Sequence, residues 1–318
     1  MAKVLVDTKN ITRKEWLKKR QMGIGGSDVA SLFGLNPYKS LLSLYFEKSG
    51  QLEEKEDEEN EAMRQGRDFE DYVAKRFEEK TGKKLRKRNA ILQHPKYNFL
   101  IADVDRLVVG ENAGWEGKTS SPFNYDKWTE GKIPFMYQLQ CQHYMAVTGM
   151  EKWYISCLFF QKEVIHREVK RDEGVIQRII EEGEHFWENH VKAGVMPDPD
   201  GSEDSNEMLV ASYPSAEDKK EIILFEEEFS EMLPRYKMLK EREDEIKTEI
   251  EQIKQFFKKH MEDAEVATVN GIDNAQIRWS NVNSSMFDAK KFKKEQPELY
   301  NKYVKTIQSR RFEIKITE

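Results

Sequence analysis

Residues 99–119, FLIADVDRLVVGENAGWEGKT, place the tightest constraint on the fold. An apolar run carries Asp103 and Asp105, a turn rich in Gly and Asn follows, and the chain returns through Trp115, Glu116, Gly117 and Lys118. Apolar strands bounded by such a turn read as a hairpin. Strand side chains alternate faces, so Glu116 and Lys118 point the same way. Asp105, on the preceding strand, is near enough in sequence to sit beside them across the turn. Two acids and a lysine so placed make either a surface ion-pair ladder or a divalent-metal site with a lysine next to it.

Three neighbours favour the metal site. Asp105 lies in a mostly apolar strand, where an unpaired charge is costly. Trp115 marks the returning strand as partly buried. Gly117 lets backbone approach a ligand, and its carbonyl is a further candidate ligand. Phosphodiester hydrolysis needs an activated water, neutralised phosphate charge and a stabilised leaving oxygen, which carboxylate-held Mg²⁺ supplies. Mg²⁺ takes one or two protein carboxylates and keeps several waters. Asp105 and Glu116 fit that role, and Lys118 could orient the attacking water or lower its pKa. Asp103 shares a face with Asp105 and is an alternative ligand. Asp105 is preferred, with Asp103 as an outer or solvated group.

The rest of the chain supplies helices around this hairpin. Thr12 with Glu15 forms a capping box for one helix, and Ser27 sits where an N-cap would open a second, DVASLFG. A longer helix is predicted over 56–81, with Phe69, Val73 and Phe77 on one stripe. Strands are predicted at 89–93, 99–109 and 114–119, a helix at 134–147 ending at Gly149, a strand pair 153–160 and 163–170 joined by Gln161-Lys162, and a helix at 172–193. Helices before, between and after the strands predict an α/β core. It occupies residues 1–198, and a charged region, 199–318, follows it. There Ile246, Ile250, Ile253 and Phe257 keep the spacing of a packed seam, predicting a coiled-coil-like hairpin that Pro234 kinks or breaks. Paired strands around Asn270-Gly271, a helical stretch at 287–305 and a final strand at 309–317 complete the expectation.

Other segments are candidates for the same site. Glu70, with Asp71 beside it, could serve a second metal, or be a solvated helix glutamate. Gln138, Gln140, Gln142 and His143 lie among apolar neighbours, and a buried Gln needs a partner. Arg20 and Ser27 flank the turn QMGIGG, where a guanidinium, a hydroxyl and free N–H groups make an anion pocket. Lys83, Lys84, Arg86, Lys87 and Arg88 could track a DNA backbone, and also read as a solvated face.

The formal net charge of −6 argues against indiscriminate attraction to nucleic acid and leaves room for a local basic channel. Only Cys141 and Cys157 occur, so neither a disulfide framework nor structural zinc is expected. No apolar signal core and no membrane-length segment is found, and a cytoplasmic location is expected.

Five motifs occur in order: R-x6-S within RQMGIGGSDVASLFGLNPY, G-R-D-F-E at 66–70, V-D-R-L-V at 104–108, E-G-K at 116–118 and Q-x-Q-H-Y-M-x-V-T-G at 140–149. Over about residues 12–195 the chain resembles the YqaJ-like phage recombinases, relatives of lambda exonuclease with a PD-(D/E)XK nuclease core. The fold so implied is a central mixed sheet flanked by helices, here extended by a C-terminal helical hairpin and small β-strands. Val104 stands where the Pro that names the superfamily would be. The resemblance implies that Asp105, Glu116 and the Gly117 carbonyl bind Mg²⁺ (or Mn²⁺), with two ions per site. It implies that Lys118 assists the attacking water, and that Glu70 and Gln140 complete the site near the second metal. It matches Arg20 and Ser27 to the pair that holds the 5′-phosphate of the digested strand. Relatives of this kind digest one strand of linear duplex DNA 5′ to 3′ and pass the exposed strand to a RecT-like annealing protein. The structural relatives form toroidal trimers that enclose DNA, so a homo-oligomer is expected. The C-terminal third has no counterpart in lambda exonuclease, and is expected to serve oligomer contacts, the annealing partner or a DNA clamp. Two other readings stand beside this one: an endonuclease on the same core, and a DNA-end- or recombinase-binding module with little catalysis.

Overall fold

The computed structural model describes residues 2–51, 61–218, 220–224, 227–272, 275–305 and 309–316. The chain forms two compact units, Met1–Ser212 and Tyr213–Glu318. The boundary lies beyond the 198/199 junction read from composition, because a helix at Glu203–Ser212 packs on the first unit.

In the first unit the elements run β1 (Lys3–Asp7), α1 (Arg13–Arg20), a 3₁₀ turn at Gly26–Asp28, α2 (Val29–Leu32), α3 (Leu41–Ser49) and α4 (Glu61–Thr81). Then come β2 (Leu85–Lys87), β3 (Ala90–Gln93), β4 (Ile101–Asp103), β5 (Arg106–Val108) and β6 (Ala113–Ser120). The unit closes with α5 (Phe135–Thr148), β7 (Lys152–Phe159), β8 (Val164–Lys170), α6 (Glu173–Phe186) and α7 (Glu203–Ser212).

The central sheet has the order β2-β5-β6-β7-β8. Only β6 and β7 run parallel, and α5 is the crossover such a pair requires. The other neighbours are antiparallel, so the sheet is mixed. Helix α4 packs on β6 through Val73 and Phe77, which meets Trp115 and Tyr154, while Phe69 stays at the exposed rim against Phe160. Trp153, Ile155 and Phe159 of β7 enter the larger core with Tyr144 and Met145 of α5. Residues 56–60 of the expected long helix lie outside the described residues.

Several expectations are corrected. The run 99–109 is two strands: β4 pairs with β3 in a separate sheet, β1-β3-β4, while β5 joins the central one. Asp103 and Asp105 therefore do not share one strand face. The break falls where the chain must cross between sheets. Strands β1 and β2 were not foreseen, being short and, in β2, disguised as a basic run. The helix expected over 172–193 starts under an Asp172 cap and changes to a π-helical turn at Trp187–Lys192.

The second unit holds α8 (Glu227–Met261), β9 (Val266–Thr268), β10 (Gln276–Arg278), α9 (Ala289–Glu295) and α10 (Pro297–Tyr303). The expected helical hairpin is instead one 35-residue helix with Pro234 inside it. A hairpin needs a second helix to receive the apolar seam, and the described residues 215–218 and 220–224 form none. Strands β9 and β10 form the hairpin expected around Asn270-Gly271. Residues 309–316, expected as a strand, carry none, since no described segment pairs with them. No helix is long and apolar enough to cross a membrane among the described residues.

Candidate active site

Strand β6 carries the site because it is central and pairs on both sides. Its burial falls along its length, from buried Ala113–Glu116 to half-buried Gly117–Ser120, so Glu116 and Lys118 stand where the core opens. Glu116 is only 3% exposed. Its Oε1 accepts hydrogen bonds from Lys118 Nζ at 2.6 Å and from Gln140 Nε2 at 2.8 Å. Its Oε2 is buried with no hydrogen-bond partner among the described residues. A buried carboxylate oxygen left this way is costly unless something electropositive meets it.

Asp105 lies between β4 and β5, and Gly117 N–H donates to its Oδ2 at 3.0 Å. The strands bring the two acids together as the hairpin predicted, with Arg106 opposite Trp115. Burial and then the Glu116 charge push the Asp105 carboxyl well above its ordinary range, against the pull of Lys118. Burial works against the Lys118 ammonium, but Glu116 and Asp105 outweigh it and raise its pKa. The ammonium also sits 5.3 Å over the Tyr137 ring. An orphaned oxygen beside a second crowded carboxylate fits a divalent cation. No three His, Cys, Asp or Glu side chains among the described residues form a ligand group by themselves. A cation here would take Asp105, Glu116, the Gly117 carbonyl and waters, a composition Mg²⁺ accepts.

Gly117 is required by packing as well. A Cβ there would lie 2.7 Å from the Trp115 ring and 3.6 Å from Glu70 Cγ. Glu70 thus reaches the site from α4. Burial and the Asp105 charge raise its pKa, while Arg106 Nη2, 2.9 Å from its Oε1, holds it down. Asp71 pairs with the same guanidinium and with Lys87 at 2.8 Å. Arg106, unremarked in the sequence, balances both acids. Asp103 accepts from Trp16 Nε1 at 2.5 Å and is pushed up by burial.

The glutamines divide by role. Gln140 serves Glu116 and also donates to Tyr144 Oη at 2.7 Å. Gln138 donates to the Ile133 carbonyl, and Gln142 ties the Lys170 carbonyl to the Asp172 N–H. His143 is a buried core histidine whose Nε2 donates to the Ile101 carbonyl at 2.7 Å.

The Arg20/Ser27 pair is assembled, though not by helix capping. Ser27 lies inside the 3₁₀ turn, and α2 has no side-chain cap. The expected N-cap role is corrected: the Ser27 hydroxyl instead accepts from Arg20 Nη2 at 2.8 Å. Ile24 bridges to Leu100 and anchors the preceding turn. Asp28, fully buried, was missed by sequence reasoning. Around it stand Lys48 at 2.8 Å, Lys39 at 3.6 Å and Arg20 at 3.7 Å, and Glu47 pairs with both lysines. Despite the cost of burial, these cations hold the Asp28 carboxyl far below its usual range. An acid directly after Ser27 was the available signal. Of the 83–88 cations, Lys83 pairs with Glu111, Lys84 with Glu78 and Lys87 with Asp71. Arg86 is exposed on the edge strand β2 and Arg88 is half-buried.

A mixed sheet flanked by helices, presenting Glu116 and Lys118 from β6 beside Asp105 from the β4–β5 connection, is a PD-(D/E)XK-type core. The chain belongs to the YqaJ-like viral recombinase family. Residues 15–151 match the YqaJ-like viral recombinase domain. The chain is 38% identical over 316 residues to the uncharacterized protein YqaJ of Bacillus subtilis (strain 168), covering 99% of this chain and 98% of that one. Among solved structures it is similar to an alkaline exonuclease, LHK-Exo, from Laribacter hongkongensis (21% identity, TM-score 0.49, 57% of this chain and 94% of that one). It is also similar to a phage-related exonuclease from Haemophilus somnus 129PT (15% identity, TM-score 0.43, 56% and 99%).

Proposed function

We propose that this protein is a Mg²⁺-dependent 5′→3′ exodeoxyribonuclease that digests one strand of linear duplex DNA and leaves a 3′ single strand for phage-type recombination. The observation that carries the reading is Glu116. One of its oxygens is held by Lys118 and Gln140, and the other is buried and unpartnered among the described residues beside Asp105.

Asp105, Glu116 and the Gly117 carbonyl would hold the ion, and Glu70, held by Arg106, would serve a second ion. Bound there, Mg²⁺ supplies charge neutralisation on the phosphate, a water of lowered pKa and stabilisation of the leaving oxygen. Lys118, fixed by Glu116, donates to the attacking water and adds positive charge beside the phosphate. Gln140 keeps the Glu116 carboxylate in one orientation from the α5 side. Arg20 and Ser27 hold the terminal 5′-phosphate, which sets polarity by seating that end and no other. Arg86 and its basic neighbours lie along β2 for the duplex backbone. In this reading the exposed strand passes to a RecT-like annealing protein, and a trimeric ring of the chain gives processivity.

The test compares 5′-phosphorylated linear, 5′-hydroxyl linear and closed circular duplex DNA, with and without Mg²⁺. Nucleotide release only with Mg²⁺, fastest from the 5′-phosphorylated end and absent from the circle, is expected. Cutting of the circle would replace this reading with an endonuclease on the same core. Binding of ends without any release would leave a DNA-end-binding module.

A further inference from the structure

Helix α8 carries a seam that no described residue of its own unit covers. Leu239, Ile246, Ile250 and Ile253 fall on alternating three- and four-residue spacings, with Met232 and Tyr236 extending the row at one end and Phe257 at the other. Assigned as a and d positions of a heptad, this row spans four heptads and is broken once, by Glu243. Pro234 falls at an outward f position and leaves the seam intact. Ile246, Ile250 and Ile253 are 56%, 47% and 52% exposed. An apolar row of this length on an isolated helix gains nothing from solvent and marks an interaction surface.

The flanks say what fits. The charged e and g positions hold Arg235, Lys240, Arg242, Lys247 and Lys254, with Glu249 as the acid among them, and Leu233 and Phe256 occupy the e and g positions at the two ends. Glu243, inside the seam, is held by Lys240 and Lys247 of its own helix. Five cations thus face two acids along the seam. In a parallel pair of α8 helices, g meets the e of the next heptad, so two repulsive pairs, Arg235 with Lys240 and Arg242 with Lys247, outnumber one attractive pair, Glu249 with Lys254. In an antiparallel pair e meets e, which sets lysine against lysine. A second copy is therefore disfavoured in both directions. The duplex backbone is a poor occupant too, because the apolar row offers phosphates nothing and the far side of the helix is acidic, with Glu241, Asp244, Glu245 and Glu251.

We infer that α8 is a docking helix for an amphipathic helix of another protein, one with a leucine- or isoleucine-type seam flanked by acidic residues. Pairing buries the exposed row and sets the partner's carboxylates against the basic flanks.

The full-length chain, titrated into two fluorescein-labelled four-heptad peptides, tests this by anisotropy. Both peptides carry Leu at a and d; one has Glu at every e and g, the other Lys. The Glu peptide is expected to bind at least about tenfold tighter than the Lys peptide. The Lys240→Glu/Arg242→Glu/Lys247→Glu variant should reverse that preference. Ile250→Asp should abolish binding of both peptides, while far-UV circular dichroism and DNA digestion by the first unit stay unchanged. Equal binding of the two peptides, or binding of neither, overturns the inference. So does a fall in the oligomer's mass by light scattering on Ile250→Asp, or a loss of duplex DNA binding in the charge-reversed variant.

Discussion

Gly26 and Tyr144 meet so closely that a Cβ on Gly26 would lie 2.5 Å from the tyrosine ring and 3.1 Å from Gln140 Cγ. Ser27 follows Gly26 in the chain, and Gln140 donates to Glu116. The Arg20/Ser27 pair and the carboxylate site are thus held in register by backbone packed against a ring.

Gly26→Ala must move either the turn or α5 to relieve that overlap. Overpacking of this kind costs about 1–3 kcal/mol. Digestion of 5′-phosphorylated linear DNA is expected to fall by about 10²-fold, since small displacements of positioned groups cost that much. Initial rates alongside thermal melts separate the two effects. Unaltered rates would show that the register between Ser27 and Gln140 is irrelevant.

Lys118→Ala and Glu116→Gln remove the two charges at the centre of the site. Each is expected to lower nuclease activity by about 10²–10⁴-fold with near-native circular dichroism, the scale usual for a positioned acid–base or charge-stabilising group. Full digestion of linear duplex by either purified variant would refute the mechanism.

Asp28 and Lys39 should separate folding from recognition. Asp28→Asn leaves Arg20, Lys39 and Lys48 crowded around a neutral buried group, with Glu47 the remaining counter-charge. Breaking such a buried arrangement costs about 3–5 kcal/mol. Lys39 is one-third exposed, so Lys39→Met is expected to fold and to narrow the preference for 5′-phosphate over 5′-hydroxyl ends by about fivefold. A Lys39→Met enzyme with an unchanged preference would exclude Lys39 from the phosphate pocket.

His143 sets an acid limit on stability. Burial pushes its pKa down to about 4 from an ordinary 6.5, although its bond to the Ile101 carbonyl opposes this. The unfolded chain then binds the proton more readily, so stability present above pH 6.5 is lost as pH falls towards 4. The loss is about 3 kcal/mol at the acid end. Denaturant melts from pH 7 to pH 4 should show this slope in the parent, and His143→Gln should flatten it. A slope that persists in His143→Gln would place the acid sensitivity elsewhere.

Much of the site was legible because its signals are local. Alternation along Trp115–Lys118, a turn of Gly and Asn, and an acid within an apolar run depend on neighbours a few residues apart, and so do the Thr12 capping box and the Gly149 helix end. Glu70 and Gln140 were candidates from the residues, but their roles came only through the family resemblance, since a helix acid or amide announces no partner. The division of 99–109 between two sheets could not be read, because both halves carry the same apolar texture and only the available sheet edges separate them. Nor could the ring of cations on Asp28, whose members come from α1, α3 and the loop between them. The α8 seam was legible, but not that no described residue packs on it.

The sequence by itself determined which residues are chemically able to act and on which short elements they ride. Periodicity and turn chemistry are properties of adjacent residues. Tertiary structure decided which of them meet: it brought α5 under β6 so that Gln140 reached Glu116, and it seated Gly26 on Tyr144. Those contacts join residues far apart in the chain, and their energies come from burial and close packing that no local pattern encodes.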